Sequence, residues 1–315
     1  MTFAFTFPGQ GSQSVGMGLS LHDAYPAAAR VFEEVDDALG EKLSALIFEG
    51  PEEALRLTAN TQPALMAVSL AAMRALESEG VKIGEAALVA GHSLGEYSAL
   101  AAAGALSISD AARLLRLRGE AMQTAVPAGE GAMAALLGLD LEAAEEVAKL
   151  AAGDQVCDVA NDNAPGQVVV SGHVAAVERA VAIAKEKGAK RAMLLPVSAP
   201  FHCGLMAPAA EAMKDALSTV AMKAPVVPVL ANVSLELLTD PEAIKASLVR
   251  QVTERVRWRE SVLKFGGHGV SIAAEIGAGK VLTGLAKRID KSLETMVVNG
   301  ADDVKRMAEH WVAAA

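Results

Sequence analysis

The chain has 315 residues, of which 52% are hydrophobic, 21% charged and only 3% aromatic, with a formal charge of −10. That balance describes a folded globular protein, and its negative sign argues against nucleic-acid binding over a broad face. The longest apolar stretches, Ala64–Met73 and Ser98–Leu106, reach about half of the ~20 residues a membrane span needs, and MTFAFTFPGQ has no signal-peptide character, so a soluble cytoplasmic protein is expected.

In chain order, Thr2–Phe7 alternates and is rich in phenylalanine, which predicts a strand ending in the turn Pro8-Gly9-Gln10-Gly11. Helical patterns follow over Ala27–Leu39 and Pro63–Gly80, then a short buried strand over Ala86–Ala90. Glu96–Ala103 and Asp110–Thr124 read as helices, the second entered through Ser109 or Asp110, whose side chains can accept from free first-turn N–H groups.

From about residue 130 the rhythm changes. Strand Ala132–Leu137, helix Leu141–Ala152, strand Val156–Ala160, a turn through Asn161–Gly166, strand Gln167–Ser171, helix Ala175–Lys187 and strand Ala192–Pro196 give β-α-β-β-α-β, the ferredoxin-like order. Strands return at Pro225–Leu230 and Ser271–Glu275. The expected fold class is α/β: a large α/β unit with helices on both faces of its sheet, interrupted by a small ferredoxin-like subdomain. The boundaries read as 1–128 and 198–315 for the large unit and 129–197 for the small one.

Gly91-His92-Ser93-Leu94-Gly95 lies between a predicted strand and a predicted helix. A serine held on so tight a turn requires small flanking residues, sits exposed at the sheet's carboxyl edge, and has helix N-terminal N–H groups available to a developing oxyanion. The competing reading is an ordinary helix start. A nucleophilic serine needs a base, and among six histidines His202 is favoured, in a loop after a strand where open α/β sheets carry their sites. His92 adjoins the serine and on a sharp elbow should point elsewhere.

Helix 110–124 contains a misplaced charge. At 100° per residue, Ala111, Leu114, Leu115 and Met122 share one apolar stripe with Arg118 near its centre, while Arg113, Arg116 and Glu120 face away. A guanidinium on the core side needs an anionic partner, either one of the 38 acidic groups of the chain or the carboxylate of a substrate. Helical geometry leaves both open. Two basic runs, Lys185–Arg191 and Lys287–Lys291, read as solvated helix ends or as a docking patch for an acidic partner. Cys157 and Cys203 form neither a disulfide framework nor a zinc spacing, and Gly277-Ala278-Gly279-Lys280 lacks the Ser or Thr of a phosphate loop.

FPGQGSQ (7–13), TQPAL (61–65), GHSLGEYSAL (91–100), RLRGEAMQ (116–123), NDNAPGQVVVSG (161–172), APFH (199–202), LVRQ (248–251) and EIGAGKVLTGL (275–285) occur in that order. Together they make the whole chain resemble the malonyl-CoA:acyl-carrier-protein transacylases of bacterial fatty-acid synthesis. The resemblance implies an α/β-hydrolase-like large domain with the ferredoxin-like insert. It implies Ser93 as acylated nucleophile, His202 as its base oriented by the backbone carbonyl of Gln251, and the N–H groups of Gln10 and Leu94 as oxyanion hole. It also implies Arg118 as ligand of the malonyl carboxylate and Phe201 as a selector of malonyl over methylmalonyl. No bound cofactor or metal is implied, malonyl-CoA being a substrate. The partner implied is an acidic acyl carrier protein, for which Lys185, Lys187, Lys190, Arg191, Lys280, Lys287 and Arg288 are the candidate contacts.

Overall fold

The structure is a computed structural model that describes residues 1–314. Its larger sheet has six strands in the order β10-β9-β1-β2-β7-β8, where β1 is Phe3–Phe7, β2 Leu88–Gly91, β7 Val229–Leu230, β8 Leu237–Leu238, β9 Ile272–Ile276 and β10 Glu294–Val298. Neighbours from β10 through β7 run parallel, and β8 folds back antiparallel on β7. Every residue of β1 is buried, as expected of a central parallel strand covered on both faces. Its alternation divides the core: Phe3, Phe5 and Phe7 join the cluster around helix Thr58–Ser78, while Ala4 joins Trp258, Val262 and Phe265 on the other side.

Helix Thr58–Ser78 is buried around most of its circumference, and its alanines let neighbouring helices come close. Helix Ile108–Thr124 crosses it at Gly119, where a Cβ would stand 2.5 Å from Ala59 Cα and 2.7 Å from the Thr58 carbonyl oxygen. That approach brings Arg118 beside Gln62. Helix Thr58–Ser78 begins five residues before the expected Pro63, which it tolerates within its early turns. The cap of helix Ile108–Thr124 is Ser107, which accepts from the Asp110 N–H at 2.9 Å, rather than Ser109 or Asp110.

The second sheet comprises β3 (Gly131–Leu137), β4 (Cys157–Ala164), β5 (Gln167–His173) and β6 (Arg191–Leu194), all antiparallel in the order β4-β5-β3-β6. Helices Leu141–Ala152 and Val174–Glu186 cover one face with Ala134, Leu136, Val168 and Val170; Met133 and Val169 point the other way, into the main core cluster. Two expectations fail here. Asn161–Ala164 is not part of a turn but the continuation of β4, which absorbs its polar residues through two register shifts, so the turn shrinks to Pro165-Gly166. Those residues fasten the two sheets: Asp162 N–H donates to Val256 O at 3.0 Å, and the buried Asp162 carboxylate accepts from Arg259 at 2.8 Å. The strand expected over Pro225–Leu230 narrows to β7 and continues into a hairpin with β8, and the edge strand β10 has no counterpart in the predicted elements.

Among the described residues no helix is long and apolar enough to cross a membrane. The Gly119 crossing makes a direct prediction: Gly119→Ala forces two backbones apart, lowering stability by about 2 kcal/mol in urea unfolding. An unchanged midpoint would mean that the crossing is looser than the structure has it.

Candidate active site

β2 ends at Gly91 and helix Gly95–Ala102 begins four residues later, so the chain reverses within a single tight turn. A Cβ on Gly91 would fall 1.9 Å from the Gly95 carbonyl group, and one on Gly95 would fall 2.2 Å from Phe7 O. Only glycine fits either position. Between them Ser93 takes φ 52°, a left-handed conformation that non-glycine residues adopt under constraint.

Ser93 Oγ lies 2.8 Å from His202 Nε2, and His202 Nδ1 lies 2.8 Å from the carbonyl oxygen of Gln251. A carbonyl can only accept, so Nδ1 carries the proton and Nε2 is left as the acceptor for the serine O–H. Burial, helped by the Arg118 charge, pushes the His202 pKa down to about 3, so the ring is neutral around neutral pH and available as a base. As expected of a residue on so sharp an elbow, His92 turns away from Ser93, bonds Asn163 Oδ1 through Nε2 at 2.8 Å and packs on Trp258.

Arg118 is 1% exposed and forms no ion pair among the described residues. Its Nη1 donates to Gln62 Oε1 at 2.8 Å, and its Nη2 donates to Gln251 Oε1 at 2.9 Å and to Ser93 Oγ at 3.2 Å. The guanidinium lies 5.7 Å from the Tyr97 ring centroid, and Nε is buried without a partner among the described residues. The nearby buried carboxylate, Glu96, is kept off it by the Gln251 amide, which donates through Nε2 to Glu96 Oε2 at 2.8 Å and to Ser93 O at 3.1 Å. Burial raises the Glu96 pKa to about 7, with Gln251, Asn232 and Arg118 opposing.

These groups open on a cavity of about 170 Å³ lined also by Gln10, Leu94, Met122, Met133, Val197 and Phe201. That is below the size of drug-like ligand sites and suits a short acyl group. The backbone N–H groups of Gln10 and Leu94 have no acceptor among the described residues, and the Gln10 side chain is pinned by the Thr58 hydroxyl at 2.9 Å. Of the candidate basic residues, Lys187 is paired with Glu146 at 2.8 Å, while Lys280 precedes helix Val281–Ile289 and Lys287 and Arg288 lie in its last turn. Cys157 and Cys203 are free and buried.

Three residues at this site escaped the sequence analysis: Gln62, Glu96 and Asn232. Gln62 lies one residue before the expected helix start at Pro63, among the polar residues Thr58, Asn60 and Thr61, so no helical phase marked it until the helix proved to begin at Thr58. Glu96 looks like an ordinary first-turn acid. Asn232, which accepts from the Ser93 N–H at 2.8 Å, has no local signal.

Residues 4–308 match the acyl transferase domain family. The chain belongs to that family. As an acyl transferase it is 49% identical over 303 residues, 96% of this chain and 95% of the relative, to the malonyl CoA-acyl carrier protein transacylase of Bacillus subtilis (strain 168). It superposes with a TM-score of 0.97 on the crystal structure of the acyl-carrier-protein S-malonyltransferase of Bartonella henselae, at 57% identity and covering 99% of this chain and 100% of that one. It is also similar, at TM-score 0.96 and 45% identity and with 98% of this chain and 100% of that one covered, to the malonyl transacylase in a structure of a type II polyketide acyl carrier protein in complex with its transacylase.

The raised Glu96 pKa sets a measurable pH dependence for this acyl transferase. Folding binds the proton more tightly than the unfolded chain does, so stability contributed by Glu96 is present at low pH and is lost as pH rises from about 4.5 to 7, on the order of 3 kcal/mol. Glu96→Gln lacks this dependence, so in urea unfolding across that window the stability of the wild type relative to Glu96→Gln should fall as pH rises. A difference that is constant with pH would contradict the burial of the carboxylate.

Proposed function

We propose that this acyl transferase moves the malonyl group from malonyl-CoA to the phosphopantetheine thiol of an acyl carrier protein, through a malonyl-Ser93 intermediate and by a ping-pong sequence. The observation that carries the reading is Arg118: a buried guanidinium, satisfied only by neutral groups, bonded to the oxygen of the serine itself. A site of that kind leaves a cationic donor waiting for a carboxylate beside the reacting carbonyl. The names of the relatives, and the carrier-protein complex of one structural neighbour, support the same substrates.

Malonyl-CoA enters with its carboxylate on Arg118. Ser93 Oγ attacks the thioester carbon while its proton passes to His202 Nε2, and the Gln251 carbonyl holds the imidazolium through Nδ1–H. The oxyanion is received by the N–H groups of Gln10 and Leu94; removal of one such donor typically lowers rate by ~10²–10³. The C–S bond breaks, and CoA leaves as the thiol with the proton from His202. The carrier thiol then gives its proton to His202 and attacks malonyl-Ser93, and Ser93 recovers its proton as the malonyl thioester departs. The apolar wall of Met122, Met133, Val197 and Phe201 limits water at the acyl-enzyme, and Phe201 selects the unbranched malonyl unit. The reaction draws on side chains and backbone amides, with no resident cofactor.

In this reading the six-stranded sheet and its helices, 1–128 and 198–315, are an α/β-hydrolase-like unit, and 129–197 is a ferredoxin-like insert. The Gly131–Leu194 sheet order supports the second description. The acidic carrier docks on Lys185, Lys190, Arg191, Lys280, Lys287 and Arg288, with Lys187 shared with Glu146. The reaction takes place in the cytoplasm, where acyl-CoA and carrier meet.

Intact mass after mixing with malonyl-CoA, then again after adding holo-carrier, tests the reading. A malonyl increment on Ser93 should appear and then move to the carrier; an increment lost to free malonate regardless of carrier would make the protein a hydrolase. Ser93→Ala should take up no increment. Arg118→Ala should lower malonyl transfer by about 10²–10³-fold while raising acetyl transfer; unchanged malonyl kinetics would remove Arg118 from the substrate site.

A further inference from the structure

The strand pairing that supports the elbow stops short of it. β2 pairs with β7 only through Val89–Val229 and Ala90–Leu230, and the next residues of the β7 chain turn into the β8 hairpin. Past that point, the side chain of Asn232 takes over. Its Nδ2 donates to Gly91 O at 2.7 Å and its Oδ1 accepts from the Ser93 N–H at 2.8 Å. A residue on a parallel neighbour makes that same pair of bonds, one to the carbonyl before and one to the N–H after the residue it faces. The Asn232 carboxamide thus stands in for a peptide group and carries the ladder one step further, across His92.

The amide is itself held. Asn232 N–H donates to Glu96 Oε2 at 3.1 Å, its carbonyl accepts from Arg257 N–H at 3.1 Å, and the residue is 1% exposed. Its N–H, carbonyl, Oδ1 and Nδ2 each have a partner, a condition that makes a buried polar group rigid. What it grips is the residue with φ 52°, a conformation that persists only where the surroundings over-determine it.

We propose that Asn232 is a positioning residue of the acyl-transfer reaction: by extending the ladder of β2 with its side-chain amide, it holds Ser93 in the left-handed turn that aims Oγ at His202 and leaves the Leu94 N–H facing the cavity. The inference rests on Ser93 being the acylated nucleophile. It assigns Asn232 no contact with substrate, so its effect falls on the rate of acylation and not on the binding of malonyl-CoA.

The test is the rate of malonyl increment on the intact protein, by rapid-quench mass spectrometry, over a range of malonyl-CoA concentrations. Asn232→Ala is expected to lower the maximal acylation rate about 10²-fold, the scale of a misplacement of about 1 Å, with half-saturation within about threefold of wild type. Asn232→Asp gives a readout that a merely structural role would not move. An ionised carboxylate at 232 keeps the acceptor for Ser93 N–H but faces Gly91 O with no donor, while the backbone N–H of 232 still donates to Glu96. A protonated one has an O–H and a C=O and reproduces the amide. The ratio of Asn232→Asp to wild-type acylation rate should therefore rise at least about tenfold from pH 8 to pH 5.5, a tenth or less of the protonated population remaining at the upper end. Arg257, which touches Asn232, and Arg118 and His202, which reach it through Ser93, are present in both proteins and cancel in the ratio. Glu96, which accepts from the 232 N–H and titrates in the same window, is taken out by measuring the ratio in the Glu96→Gln background. Should the alanine variant fail to fold, the pH dependence of that ratio decides alone. A wild-type acylation rate in Asn232→Ala, a pH-independent ratio, or a change confined to half-saturation would overturn the inference. No increment on Ser93 of the wild type would remove the acyl-transfer reading and this inference with it, whereas an increment formed at equal rates in wild type and variant removes the inference alone.

Discussion

The site depends on a buried positive charge that has no negative partner in contact. Moving a guanidinium into the protein interior is costly, and the usual remedy is a carboxylate at hydrogen-bond distance. Here the remedy is two glutamine carbonyls, from Gln62 and Gln251, a serine oxygen and an aromatic face. Neutral acceptors orient the guanidinium without neutralising it. The counter-charge, Glu96, sits on the far side of one amide, close enough to moderate the field and too well engaged with Gln251 and Asn232 to fold onto the arginine. Arg118 can then exchange a weak serine contact for a strong ligand without first breaking an ion pair.

The packing beneath is what makes such an arrangement stable. Gly119 lets two helices approach until Arg118 and Gln62 meet, and Gly91 and Gly95 let the elbow close against the end of β1. The opposite wall is supplied from the second sheet through Met133 and Val169, and that sheet is tied down by Asp162 with Arg259 and by Asn163 with His92. The cavity therefore has walls from both sheets.

Much of this was legible in the residues. The elbow announced itself by two glycines at the spacing a tight strand–turn–helix needs, and Arg118 by its phase on a helix, a quantity that depends on neighbours a few positions away. The parts that were missed depend on distant partners. Asn161-Asp162-Asn163 has the composition of a turn and becomes a strand only because Val256 and Arg259 receive its polar groups. Asn232 lies 139 residues from the serine it holds, and nothing around it marks it. The edge strand β10 was missed although its run Met296-Val297-Val298 is as long as the one in β9; half-exposed along most of its length, it takes its place by pairing with β9.

Gln251 serves the site twice, by unrelated parts of itself. Its side chain binds Arg118, Glu96 and Ser93, while its main-chain carbonyl fixes the tautomer of His202. A carboxylate in that second role could be erased by a single base change in the gene. A peptide carbonyl cannot: every amino acid that could replace residue 251 brings one with it. The orienting partner of the histidine is thus written in the path of the backbone at the end of helix Pro241–Thr253 rather than in the identity of any codon, and is lost only when that helix end moves.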